Sequence, residues 1–209
     1  MEEREKYAAY ICGKAFNIPA CYRAVAAAPD DPEGAAPFVA ETTLARAYFV
    51  GYPITRENRI PMEQKSLLEG IRPFLGDNQG IVECEAEENW AYSIVKTLNG
   101  NGGVIYTLTF QKVFADRIML VQGFFEENGI TGLRESMVYE NLRHNGRVGN
   151  DTDPLAGWCR DPYDESIKSG ALMNLSELRK FDADFEDSPL MLCRELADCL
   201  KTEKGDGIW

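Results

Sequence analysis

Only one histidine, His144, occurs in the whole sequence. A Ser-His-Asp triad or a Cys-His pair would have to use it, and a zinc site built on several histidines is impossible within one chain. His144 falls near the end of a predicted helix, where the helix dipole favours the imidazolium and a capping role suffices. Paired cysteine motifs are missing too: the six cysteines are dispersed and none forms a CxxC. Met1 to Lys6 is charged and leads into no continuous apolar leader. Reduced structural thiols in a cytoplasmic protein are therefore expected, not a disulfide framework. No window approaches the roughly 18 apolar residues of a membrane span. Gly100-Asn101-Gly102-Gly103 lacks both the Lys-Ser/Thr ending of a phosphate loop and the helix that follows a dinucleotide fingerprint. No cofactor and no metal site are expected.

Positive charge is also in short supply. The 209 residues carry 22 Lys and Arg against 34 Asp and Glu, a formal net charge of −12. Such a surface repels phosphate backbones and anionic lipid at long range, which makes nucleic acid and membranes poor partners. The hydrophobic share, 44%, is ordinary for a globular chain whose core needs no staples.

What is present centres on Ile81 to Phe125. Val82, Cys84 and Ala86 alternate with Glu83, Glu85 and Glu87, and Val104, Tyr106, Leu108 and Phe110 alternate with Ile105, Thr107, Thr109 and Gln111. Period two is the mark of a sheet with one buried and one wet face. Asn99 to Gly103 supplies residues that take positive φ cheaply, so a hairpin is expected there. Phe114 to Asn128 is nearly free of charge between Arg117 and Glu126 and reads as a buried helix packed on the sheet.

Elsewhere the pattern is mixed. Glu3 to Phe16 reads as a helix ended by Pro19, and Ala24 to Pro37 as a proline-broken loop. Ala47 to Val50 suits a strand. A helix is expected from Pro61 through Ile71, stopped by Pro73. Another is expected from Leu133 to Asn145, with Gly146 beyond its end. Asn174 and Glu177 have capping-box spacing, and Ser188-Pro189 is an N-cap and N1 pair opening a last helix. These readings predict an α+β fold. It comprises an antiparallel sheet of three to five strands packed against a buried central helix, with a mostly helical C-terminal half. One domain over residues 1–209 is expected, with a mixed part at 1–113 and a helical part at 114–209 as its natural subdivision.

Three constellations have chemical potential. The loop from Asn150 to Glu165 gathers Asp151, Asp153, Asp161 and Asp164 around Trp158 and Tyr163. Acids beside aromatic rings are the materials of a sugar site, and clustered carboxylates can hold a divalent cation. Asx residues also build ordinary turns, and loop aromatics commonly pin a loop to the core. Glu83, Glu85 and Glu87 form an acidic strip on the expected wet strand face, able to meet a basic partner. Leu133 to Asn145, behind a turn at Gly129 to Gly132, has the outline of a helix-turn-helix that would offer Arg134, Arg143 and Arg147 to phosphates. Cys159 beside Arg160 has no local base to activate it.

The leading expectation is a non-catalytic cytosolic protein that binds another macromolecule, most simply a protein. Its acidic and aromatic loop surface would comprise Trp158, Asp161, Tyr163 and Asp164, with Glu83, Glu85 and Glu87. The alternatives are a hydrolase with a carboxylate-based site between Asp151 and Asp164, acting on a sugar or using a divalent metal, and a winged-helix-like DNA-binding regulator.

Overall fold

The computed structural model describes residues 4–100, 102–129, 132–147 and 158–204. The chain opens as a hairpin of β1 (Lys6–Ile11) and β2 (Lys14–Pro19), not as the helix expected over Glu3 to Phe16. Cys12 and Gly13 join the two strands with φ of 52° and 73°. A two-residue loop with both φ positive matches the twist of paired strands. Ala9, Ile11, Phe16 and Ile18 alternate along the hairpin and are all buried.

There follow β3 (Arg23–Ala24), β4 (Ala36–Glu41), β5 (Ala45–Ile54), α1 (Gln64–Ile71), β6 (Gln79–Ala86), β7 (Trp90–Leu98), β8 (Val104–Val113) and β9 (Ile118–Glu127). Seven of these strands make one antiparallel sheet in the order β3-β4-β5-β9-β8-β7-β6. The rest of the chain holds α2 (Leu133–His144), the short strands β10 (Cys159–Arg160) and β11 (Met173–Asn174), and α3 (Pro189–Lys201).

The expected architecture needs correction at its centre. No helix begins at Phe114: Ile118 to Glu127 is a middle strand, paired with β5 on one side and β8 on the other. Ile118, Met119, Leu120 and Val121 are all buried because both sheet faces are covered at that end. A short apolar run of that kind suits a doubly buried strand as well as a buried helix. Beyond it, exposed Gln122, Phe124 and Glu126 alternate with buried Val121, Gly123 and Phe125. The sheet therefore has seven strands instead of three to five, and the C-terminal half is not mostly helical.

The covering helix is α3. Ser188 Oγ caps it by accepting from the Met191 N–H at 3.2 Å, and Pro189 occupies its first turn. Leu192, Leu196 and Leu200, all at 0% exposure, face the inner side of the sheet with Leu108, Phe110, Val121 and Phe125. Each such leucine contributes roughly 1.5–3 kcal/mol by leaving water. The β1–β2 hairpin closes the same face. α1 lies across the outer face at the β6 end, where Leu67 meets Ile81, Cys84 and Ala91. Among the described residues, no helix is long and apolar enough to cross a membrane.

Candidate functional site

The residues singled out from sequence do not form one pocket. Trp158 is buried with Val138, Leu142 and Phe185, its ring edge-on to Tyr139 at 5.7 Å. Asp161 and Asp164 gather around Arg72 instead. Asp161 Oδ1 accepts from the Arg72 guanidinium and from the backbone N–H groups of Tyr163 and Asp164, each at 2.9 Å. Asp164 turns back to Ser166, whose hydroxyl donates to it at 2.6 Å, and those bonds hold its carboxyl below the usual range. Tyr163 Oη accepts from the Cys84 N–H at 2.6 Å and donates to the Cys84 carbonyl at 3.0 Å. It thereby satisfies the open edge of β6, the last strand of the sheet. The same loop passes so close at Gly80 that a Cβ there would lie 1.9 Å from the Ala171 carbonyl oxygen. Asp151 and Asp153 lie outside the described residues.

The acidic strip does not sit on a wet face. Glu83 and Glu85 still alternate with Cys84 and Ala86, but they pair with Ile94 and Tyr92 on the side covered by α3, and the bulge at Val82 shifts only the register before them. Glu83 is 7% exposed and accepts from Arg194 Nε at 2.7 Å, from Arg179 and from the Tyr92 hydroxyl. Burial would raise its pKa, yet Arg194, Arg179 and Tyr92 outweigh it and hold the carboxyl below its ordinary value. Glu85 pairs with Lys201 at 3.0 Å, and Glu87 alone of the three is exposed and outside the network.

The network continues inward. Arg194 also binds Asp182, Asp182 binds Arg134, and Arg134 reaches Ser188 and the Ser176 carbonyl. Lys96, 1% exposed, donates to Glu177, which also accepts from Tyr106 and returns to the Asn174 N–H. These bonds fasten the segment before α3 to the sheet. A carboxylate clamped by two arginines is a poor proton carrier, because its ionised form is held. The helix-turn-helix outline also dissolves: a strand precedes the turn, and Arg134 is buried.

The outer face of the sheet is different in kind. α1 covers one flank, and Gln111 ties the preceding segment down by accepting from the Ile60 N–H at 2.7 Å and donating to its carbonyl. On the other flank the Tyr48 hydroxyl reaches Asp31 at 3.3 Å. Between these covers the middle of β8, β9 and β5 is open. Phe124, 50% exposed, stands there with Tyr48 and Thr107 as its cross-strand neighbours. Tyr52 donates to Gln122 at 3.0 Å alongside. At the Ile54 end the strip runs into a cleft of about 470 Å³, floored by Ile54, Val113, Phe114 and Ile118 and rimmed by Arg56, Arg59 and Arg117.

None of these residues was singled out from sequence. Alternation at Gln122, Phe124 and Glu126 was the available signal, masked by the helical reading of β9. Arg56 and Arg59, close together in an acid-rich chain, were the other.

No family model and no curated protein matches this chain. Among solved structures it is weakly similar to the Ran-binding protein Mog1p of Saccharomyces cerevisiae. The TM-score is 0.43 and the identity 6%, over 70% of this chain and 86% of that one. A likeness at that level carries no inference about what this chain binds.

Proposed function

We propose that this chain is a non-catalytic binding protein that docks another protein on the open strip of its outer sheet face. One observation carries the reading: Phe124 stands half exposed on a middle strand, with Tyr48 and Thr107 directly across from it. The wet face of an antiparallel sheet is ordinarily polar. An aromatic left in its middle loses the hydrophobic gain that its inner-face neighbours collect, whereas aromatic rings with few charges around them suit the centre of a protein interface. A phosphate-rich partner is disfavoured by the net charge of −12. All six cysteines are unpaired thiols, which supports a reducing compartment such as the cytoplasm. The sequence-chosen residues Trp158, Asp161, Tyr163, Asp164, Glu83 and Glu85 are engaged in internal contacts, so we take the docking surface to be the outer face, with Glu87 left to add only distant charge.

A photo-crosslinking side chain placed at position 124, with one at Asp164 as control, tests this. The expected result is a protein crosslinked from position 124 only. Its purified form should bind the Phe124→Ser variant at least about tenfold more weakly than the parent, a loss of about 1.4 kcal/mol. Equal crosslinking from both positions, or unchanged affinity, would overturn the proposal. A crosslink to a second copy of this chain would replace it with self-assembly.

A further inference from the structure

The cleft at the end of the strip inverts the charge of the molecule around it. Arg56 and Arg59 are exposed, and neither has an ion-pair or hydrogen-bond partner among the described residues. Arg117 is shared between Asp116 and the Cys12 carbonyl. Asp116, the carboxylate lining the cleft, is also approached by Lys14 Nζ at 4.0 Å, so it is neutralised from two sides. Lys14 in turn lies over the Phe114 ring at 5.2 Å. Three arginines and one carboxylate thus line the cleft, in a chain whose acids outnumber its bases 34 to 22.

The floor of the cleft is apolar and lies on the outer face beyond the open strip, where Ile118 and Leu120 are themselves buried. Ile54 and Ile118 pair across β5 and β9, one pair beyond Pro53 and Met119 and two beyond Tyr52 and Leu120. Ile54, Tyr52, Ile118 and Leu120 therefore share the outer face with Phe124. An apolar floor under a guanidinium rim suits a ligand in which carboxylates and aliphatic side chains alternate. Guanidinium forks match carboxylates in pairs, while the floor takes the carbon between them.

We propose that this cleft recognises an acidic segment with interspersed aliphatic residues on the partner protein; the assignment of the source to a protein rests on the docking reading above. Unpaired arginines in a field of negative charge also raise specificity, because an acidic segment is repelled by the net-negative surface elsewhere and accepted at the cleft.

The probe is a capped peptide alternating Glu and Leu, titrated against the full chain while the arginine Nε–Hε signals are followed by NMR. Its Gln-for-Glu counterpart and free glutarate are run in parallel. Signals of Arg56 and Arg59 should shift saturably with the acidic peptide and not with the Gln peptide. The apparent affinity should fall at least tenfold when salt is raised from about 25 to about 250 mM. The double variant Arg56→Gln, Arg59→Gln, exposed at both sites, should keep the amide spectrum of the fold and lose the acidic peptide. Shifts from the Gln peptide of equal size, or undiminished binding by the double variant, would overturn the proposal. Glutarate binding as tightly as the peptide would overturn the assignment to a protein segment. Phe124→Ser separates the two proposals: it should leave peptide binding at the cleft intact even where it abolishes partner docking, and loss of cleft binding in that variant would overturn the cleft as a separate anion site.

Discussion

Phe124 and Phe125 are neighbours in one strand, yet one is 50% exposed and the other 0%. The inner face that holds Phe125 is closed by α3 and the β1–β2 hairpin, and Glu83, Arg194 and Glu177 are tied into one network there. The outer face that holds Phe124 is covered only at its flanks. One face spends its aromatics on stability, and the other leaves them available. The proposed docking surface rests on that contrast.

The largest effect should come from the closed face. Phe125→Ala should cost about 3–5 kcal/mol in denaturant unfolding, because a buried ring leaves a cavity that close-packed neighbours refill only in part. Phe124→Ala, one residue away, provides the opposite pole below; a large loss there would erase the contrast.

Breaking the buried network should come next. Glu83→Gln removes the charge that Arg194 and Arg179 share, leaving two guanidinium groups against a neutral amide, and should cost about 3 kcal/mol at neutral pH. The pH dependence has a definite sign. Glu83 has a lowered pKa in the folded state, so its contribution is complete above the ordinary carboxylate value and is lost as pH falls through the lowered one. The stability gap between parent and variant should therefore be full at pH 7 and shrink below about pH 4. A gap that does not change with pH would show that the ionised carboxylate is not what the arginines hold.

The covered sheet edge ranks third. Gly80→Ala places a methyl against the Ala171 carbonyl and should cost about 2 kcal/mol by forcing the covering loop away from β6. Hydrogen exchange at Cys84, whose N–H bonds to the Tyr163 hydroxyl, should accelerate in that variant. The smallest effect belongs to the open face: Phe124→Ala should change stability by less than about 1 kcal/mol. Any value near that of Phe125→Ala would mean the outer face is covered and unavailable for docking.

Some of the structure was readable before folding was considered. Ser188-Pro189 opens α3, Asn174 and Glu177 form their capping box, and Leu133 to His144 is helical. Each depends on residues within one or two turns of each other, so local chemistry suffices. β6 and β8 were readable for the same reason, since alternation along a strand needs no knowledge of the partner. The errors share another cause. Ile118 to Val121 is apolar because strands on both sides and layers on both faces surround it, and neither helix nor strand is encoded in such a run alone. Glu83 looked solvated by alternation, but its face of β6 is the one that α3 covers, where it meets Arg194, far away in sequence.

Composition and local pattern thus settled the net charge of −12, the single histidine, the span of α2 and the start of α3, because these depend on residue identity or on neighbours within a few positions. Which face of the sheet was closed, where Glu83 pointed, and why Phe124 met water while Phe125 did not were settled by the packing of α3 and the hairpin onto one side. A side chain's burial depends on what the rest of the chain lays over it, and that is a property of long-range contacts which no short window of sequence contains.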